Sequence, residues 1–510
     1  MICLKKLGIL LVLFLFIVNI VSAYSIMPSF VVDSNNNAQV AWFDSSSEGI
    51  YYSRHSGSDG SALMDPELIV EGGAETPWVD VDSNGDAHIV FTDYRTVEGW
   101  ATFYVKVDGS TGEVIREMMI EEGPGGYSFR TTSVAVDANG DAHILAHNYY
   151  TGKLYYYKID GNSGAKLVNR KLINTGTYTS PDQYADLAID SNGDVHAVWG
   201  DYYNDPLMKY FKLDGINGNV LITQKVLYNG VGDGYASYPA IAVDPDDNVH
   251  IVWAYRRFDS PSVDLTSYIK VDGTTGIPII PRMEVNFSYT NYHYRDYVPD
   301  VAVDFEGNVH IATRFKYDYG DPWIRYIKMD GDTAEDIIPE FRVTDVTADP
   351  YVGVLDVDSV GDVHIVYQDD NITGGDSFLV YTKLSGTDGS VIFGDQPIGD
   401  VGTGIPECDL GLEYVVQCGE VFNPDCFAND WACCSDDPGE YLIEENGVKR
   451  CCNNPNDRIN VQGNCVMPTS KIKKTAMPRF SPQEGYSWLL PFGILIVISV
   501  LIYFFTVKKK

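Results

Sequence analysis

Along most of this chain apolar and polar residues alternate with a period of two over runs of five to eight residues, the signature of half-buried strands. The clearest run is Val134-Ala-Val-Asp137-Ala-Asn-Gly-Asp-Ala-His143-Ile-Leu. Residues 132–136 predict one strand, Asn139-Gly140 a tight turn that tolerates positive φ, and 142–146 a second strand. A third strand follows over 154–159, a second turn at Asp160-Gly-Asn-Ser-Gly164, and a fourth strand over 166–173. No stretch with helical periodicity lies between them.

The unit recurs. Aligned on the first Asp of the turn, copies begin at Asp33, Asp82, Asp137, Asp190, Asp244, Asp304 and Asp358, in steps of 49, 55, 53, 54, 60 and 54 residues. The second turn returns as Asp108-Gly-Ser-Thr-Gly112, Asp214-Gly-Ile-Asn-Gly218 and Asp272-Gly-Thr-Thr-Gly276, and more weakly at Asp330 and Ser385. Four antiparallel strands repeated seven times predict an all-β, seven-bladed β-propeller, whose radial closure leaves no long exposed edge. The first copy departs from the pattern, with Asn36-Asn37 and Gln39 in place of Gly-Asp and His. No split blade that would close the ring by strand exchange is visible.

The form Pro-x-Val-Ala-Val-Asp-x-x-Gly-Asn-x-His-Ile, as in Pro299 to Ile311 and more loosely Pro239 to Ile251, resembles NHL and YVTN-type propeller repeats and, loosely, sialidase-like surface propellers. The resemblance spans about residues 28–396. It implies that the first strand of each blade lines a central channel and the fourth is outermost.

The ends carry different signals. Residues 1–23 hold Lys5 and Lys6, an apolar run and Val-Ser-Ala23, and are expected to be a secretory signal peptide. Residues 24–396 are assigned to the propeller. All cysteines except Cys3 fall within 397–466: Cys408, Cys418, Cys426, Cys433, Cys434, Cys451, Cys452 and Cys465. An even count in an exported segment with little apolar sequence predicts a disulfide module of open connectivity; no Cys-x-x-Cys pair suggests a metal instead. Residues 467–486 read as a polar stalk, and 487–507 as one transmembrane helix, long enough for a hydrocarbon core of ~30 Å. Lys508, Lys509 and Lys510 place the tail in the cytoplasm and the rest outside. A sorting signal exchanged for a lipid anchor is the other reading of this end. Both give a protein at the cell membrane with its large N-terminal part extracellular.

Composition narrows the partners. A formal charge of −35 opposes nucleic acid phosphates, so no nucleic acid partner is expected. Asn286 and Asn371 stand in glycosylation sequons.

The candidate chemistry divides by position in the repeat. His88, His143, His196, His250, His310 and His364 fall on second strands of different blades. Sheets pack ~10 Å apart, too far for one zinc ion, so each His is expected to pack between blades and bond the backbone or the turn Asp. The Asp-x-Asn-Gly-Asp turns are oxygen-rich enough to make calcium possible, but they lack EF-hand spacing and serve equally as turn chemistry. No metal site and no cofactor is assigned.

At the opposite end the connections differ from blade to blade, and variable loops on a rigid scaffold are where binding concentrates. The binding candidates there are Asp93, Tyr94, Arg95, Arg130, Tyr149, Tyr150, Asp201, Tyr202, Arg256, Arg257, Tyr294, Arg295, Arg314, Tyr317 and Asp369. Aromatic platforms with carboxylates and Arg forks suit a glycan or a protein partner. The alternatives are an exported sialidase-like glycoside hydrolase and a structural envelope component without a specific ligand. The sialidase family uses a Tyr nucleophile, an arginine cluster and an acid/base Asp. Tyr294, Arg95, Arg130, Arg256, Arg295, Arg314 and Asp93 could be arranged to fill those roles, but the Ser-x-Asp-x-Gly-x-Thr-Trp box is absent, so no catalytic residue is assigned.

Overall fold

The computed structural model describes residues 28–398, apart from 45–48, 97–98, 123–128, 149–150, 175–184, 202–206, 231–233, 258–263, 286–293, 318–321, 345–349 and 370–377, together with 441–445, 448–452, 458–459 and 465–466. It divides into two units, Met1–Gly404 and Ile405–Lys510.

Seven four-stranded sheets form the first unit, each built from strands consecutive in sequence. The first strands are Ser29–Val32, Ala74–Val81, Phe129–Val136, Ala185–Ile189, Gly234–Val243, Tyr294–Val303 and Pro350–Val357, and they neighbour one another in a closed ring. The fourth strands are Ala62–Val70, Val114–Glu122, Lys166–Leu172, Val220–Asn229, Pro278–Glu284, Asp336–Arg342 and Val391–Ile398. The predicted seven-bladed propeller is therefore the observed fold, and among the described residues no strand is exchanged between its ends.

In blade 3 the register runs without a break from Ala142↔Ile159 to Asn148↔Lys153, while the first strand bulges opposite Leu145/Ala146. Similar bulges interrupt the first strands of blades 2, 5 and 6, where Thr76, Tyr238 and Val298 precede a proline and adopt positive φ of 49°, 52° and 48°. A bulge sharpens local twist and so helps the chain turn into the ring.

The core lies between blades rather than within any one of them. Leu145, Tyr156 and Val168 of blade 3 bury against Leu187, Ala197 and Trp199 of blade 4. Ala38, Val40 and Trp42 of blade 1 pack on Val366, Leu379 and Tyr381 of blade 7, which closes the circle. Burying each such side chain is worth about 1.5–3 kcal/mol, and a single sheet has no partner for either face, so the blades stand only as a ring.

In the second unit, hairpins pair Tyr441–Glu445 with Val448–Cys452 and Arg458–Ile459 with Cys465–Val466. The other cysteines, the sequons at Asn286 and Asn371, and the segments expected to form the signal peptide, stalk and membrane helix lie outside the described residues. Among the described residues no helix is long and apolar enough to cross a membrane.

Candidate functional site

Both short turns of every blade emerge at one end of the propeller, and there the repeated polar residues form one network. In blade 3, Asp137 Oδ1 accepts the backbone N–H groups of Asn139 (2.9 Å) and Asp141 (3.0 Å), which shapes the turn. Its Oδ2 faces His143 Nε2 at 3.1 Å and Lys158 Nζ at 2.8 Å. A carboxylate only accepts, so Nε2 carries the proton, and His143 Nδ1 accepts from the Tyr156 hydroxyl at 2.8 Å. Asp–His–Tyr–Lys sets of the same kind occupy blade 2 (Asp82, His88, Tyr104, Lys106) and blade 4 (Asp190, His196, Tyr210, Lys212). Blades 5, 6 and 7 repeat them with His250, His310 and His364.

Blade 1 reaches the same result with other residues. The Gln39 amide nitrogen bonds Asp33, its amide oxygen accepts from Tyr52, and Arg54 replaces the lysine at 2.7 Å from Asp33. Gln39 thus presents a donor and an acceptor much as the neutral imidazole does.

The electrostatics follow from enclosure. Burial raises the Asp137 carboxyl, but hydrogen bonds from His143, Lys158 and the turn backbone outweigh it and hold the group well below the usual range. Burial pushes His143 down, keeping it neutral, and pushes the Tyr156 hydroxyl up. The histidines are spent on packing and on the turn Asp, as their positions predicted. The calcium possibility at these turns meets a direct obstacle: a lysine ammonium already sits against the carboxylate where a cation would bind. Among the described residues no three His, Cys, Asp or Glu side chains are arranged to hold a metal ion.

A second polar set, missed by the sequence reading, lines the inner ring. Asp80, Asp186, Asp300 and Asp356 lie on first strands, and each accepts a backbone N–H from the next blade: Val136 (2.6 Å), Ile241 (3.1 Å), Leu355 (2.8 Å) and Val32 (2.8 Å). The innermost strand has an unpaired edge, and these carboxylates satisfy part of it. Burial raises Asp80 and Asp300 to about 7 and Asp186 to about 6, and Asp356 adds its repulsion to the first two. The available signal was an Asp inside an apolar strand, as in Val79-Asp-Val-Asp82 and Leu355-Asp-Val-Asp358.

The binding candidates that the structure describes lie at the other end. Strand register sets Arg256 opposite Tyr235 and Arg257 opposite Gly234 in blade 5, and Tyr294 opposite Tyr317 and Arg295 opposite Lys316 in blade 6. Arg130 stands opposite His147, Arg95 is the last residue but one of Ala87–Thr96, and Asp201 ends Val195–Asp201. Tyr149, Tyr150 and Tyr202 fall outside the described residues. Tyr94 is 38% exposed beside Trp100, whereas Asp93 is buried within Ala87–Thr96 and Asp369 at the end of Val363–Asp369. Asn148, at the equivalent place in blade 3, shows what that position does: it accepts from the backbone and hydroxyl of Thr151 and caps the loop. Arg314 Nε donates to the Pro350 carbonyl of blade 7, so it braces two blades.

The same end holds aromatic–arginine stacks that the sequence reading did not single out. Arg282 lies between the Tyr228 and Tyr255 rings, 4.8 and 4.5 Å from their centroids, bridging blades 4 and 5. In blade 6, Phe315 and Trp323 pack 4.6 Å apart, with Arg325 over the first and Arg342 over the second. Periodicity could not find them, because their partners come from different strands and blades.

No protein-family model matches the sequence, and no curated protein does. The NHL and YVTN resemblance thus rests on the repeat residues alone. Solved structures share the fold. A PL25 polysaccharide lyase, an ulvan lyase bound to a GlcA(1-4)Rha3S unit, is 10% identical with a TM-score of 0.50, over 71% of this chain and 92% of that one. A puromycin hydrolase is 12% identical (TM-score 0.46, 74% and 54%), and the NanB sialidase of Streptococcus pneumoniae 8% identical (TM-score 0.38, 69% and 66%). At such identities the likeness establishes the architecture alone: this chain is a seven-bladed propeller, among whose structural neighbours are lyase and sialidase propellers.

Proposed function

We propose that this protein is displayed at the cell surface, held by a single C-terminal membrane segment, and that its propeller recognises a glycan or protein partner of the cell envelope. The reading rests on one contrast. At the turn end the repeated polar side chains are consumed by the Asp–His–Tyr–Lys networks, while the other end sets Arg256, Tyr294, Arg295 and Tyr317 at the tips of two neighbouring blades, a combination not repeated among the described residues of the other blades. Aromatic and guanidinium groups on a rigid frame bind with little ordering cost. The signal peptide, the disulfide module and the sequons at Asn286 and Asn371 fit an exported glycoprotein.

Full-length protein in lipid nanodiscs is to be screened against a glycan array and against envelope extracts. Binding that is lost in Arg256→Ala/Arg295→Ala, with the melting midpoint unchanged, is the expected result. Binding that survives the pair refutes the assignment to this end. The enzymatic alternative, a sialidase-like hydrolase, predicts release of a fluorogenic sialoside by the same preparation.

A further inference from the structure

The cysteines beyond the expected signal peptide divide unevenly around Lys449. Five of the eight, Cys408, Cys418, Cys426, Cys433 and Cys434, precede it, and three, Cys451, Cys452 and Cys465, follow it. With every thiol oxidised within the chain, an odd group must share an odd number of bridges with the other, either one or three. Three routes satisfy that count. All three late cysteines pair with early ones; or Cys451 and Cys452 bond each other and Cys465 takes an early one; or Cys465 pairs with one member of the doublet while the other member takes an early one.

The backbone of the second unit separates these routes. Cys451 and Cys452 stand in the strand Val448–Cys452, at register positions opposite Leu442 and Tyr441. Consecutive residues of an extended strand belong to opposite faces of the pleat. Their Cα atoms stand about 3.8 Å apart, short of the roughly 4.4–6.8 Å that a bridge usually spans. The strand thus opposes a bond within the doublet and gives its two members different partners. Arg458–Ile459 neighbours both strands of the first hairpin, so the second hairpin lies across the pair instead of along one edge. Cys465–Val466 neighbours Val448–Cys452, which brings the backbone of Cys465 to the strand that carries the doublet.

We propose that Cys465 is joined by a disulfide to one member of the Cys451–Cys452 doublet, and that the other member ties the two hairpins to the early cysteines. The inference rests on the reading of this segment as exported and oxidised. Each bridge forms as one thiolate attacks the disulfide of an export-compartment thiol–disulfide oxidoreductase and a second thiolate resolves the mixed disulfide. The two cysteines lose two protons and two electrons, and the oxidoreductase leaves as its dithiol. The doublet then acts as a junction, and residues 453–464 become a closed loop that tension from the chain beyond Cys465 bypasses.

The test maps the full-length protein, solubilised from membranes of expressing cells with free thiols blocked by N-ethylmaleimide. Trypsin cuts after Lys383, Lys449, Arg450, Arg458 and Lys471, which places the early cysteines, the doublet and Cys465 on fragments 384–449, 451–458 and 459–471. The expected result is one unreduced species joining all three, from which partial reduction releases 451–458 still bonded to 459–471. In Cys465→Ser, one maleimide should appear on 451–458 and none on 384–449. A fragment 451–458 that is bridged only to itself, or a maleimide on 384–449 in that variant, overturns the pairing while leaving the segment oxidised. Maleimide on these cysteines in the native protein overturns the pairing together with the exported reading. Should Cys465→Ser fail to fold, partial reduction of the native protein decides alone, and 459–471 that comes away only with 384–449 ends the proposal.

Discussion

Lys383 Nζ donates to the carbonyl oxygen of Gly57 at 2.9 Å, joining the last blade to the first across 326 residues of sequence. The same ammonium lies 2.8 Å from Asp358 Oδ2. Blades 4, 5 and 6 reach forward in the same way, from Lys212 to Gly273, Lys270 to Gly331 and Lys328 to Gly386. At the closing boundary Asp356 adds a bond to Val32 N and Asn36 one to Ser359 N. Side chains thus do the work that strand exchange would otherwise do.

Lys383→Met should therefore uncouple the ring. It leaves the buried Asp358 carboxylate without its cation, a loss of about 3–5 kcal/mol for a broken buried pair. Chemical denaturation should show a fall in midpoint of that size. An unchanged midpoint would mean that the apolar closure between Val40, Trp42 and Tyr381 suffices.

Gly161→Ala tests the turn packing. A Cβ there would stand 1.9 Å from the Gly140 carbonyl oxygen and 2.8 Å from His88 Cε1 of the preceding blade, so backbone has to move. At Gly85 a Cβ meets open space and only the φ of +85° is strained. The expected cost is about 1–2 kcal/mol for Gly85→Ala and more for Gly161→Ala, read as the order of melting midpoints.

Tyr156→Phe separates scaffold from function. It removes the hydroxyl that donates to His143 Nδ1 and leaves that nitrogen buried and unpaired, which costs about 1–3 kcal/mol. Ligand affinity at the far end of the blades should stay as in the native protein. A parallel loss of binding would place the histidine networks in the functional machinery.

The inner-ring carboxylates set a pH dependence. With folded values near 6 to 7, above the ordinary 3.8, Asp80, Asp186 and Asp300 stabilise the fold most when protonated, and this is lost as pH rises through that range. The turn aspartates run the other way, contributing above pH 4, and the depressed His88, His143, His196, His250 and His310 contribute above about 6.5. Asp300→Asn isolates one group. Its melting midpoint relative to the native protein should rise by about 2–4 °C between pH 5 and pH 8, the equivalent of about 2–3 kcal/mol in a unit of this size. A difference that is flat across this range would assign Asp300 an ordinary pKa.

Period and turn chemistry determined a great deal from the sequence by itself. Seven Asp-anchored hairpins, each of alternating apolar residues, could bury their faces only against one another. Blade number, strand order and the structural use of His143 and its counterparts follow from that local logic. The division of Asp137, with one oxygen for its turn and the other for His143 and Lys158, needed the tertiary structure. So did the substitution of Gln39 for a histidine, the carboxylates of Asp80, Asp186, Asp300 and Asp356 on the inner edge, and the stacks around Arg282 and Trp323. Each joins residues tens to hundreds apart, across blade boundaries that no local pattern encodes. Asp93 and Asp369, loop residues by sequence, lie inside Ala87–Thr96 and at the end of Val363–Asp369 and are buried, because the second strands run on past the repeated pattern and pair there with both neighbouring strands, an extension that local alternation does not encode.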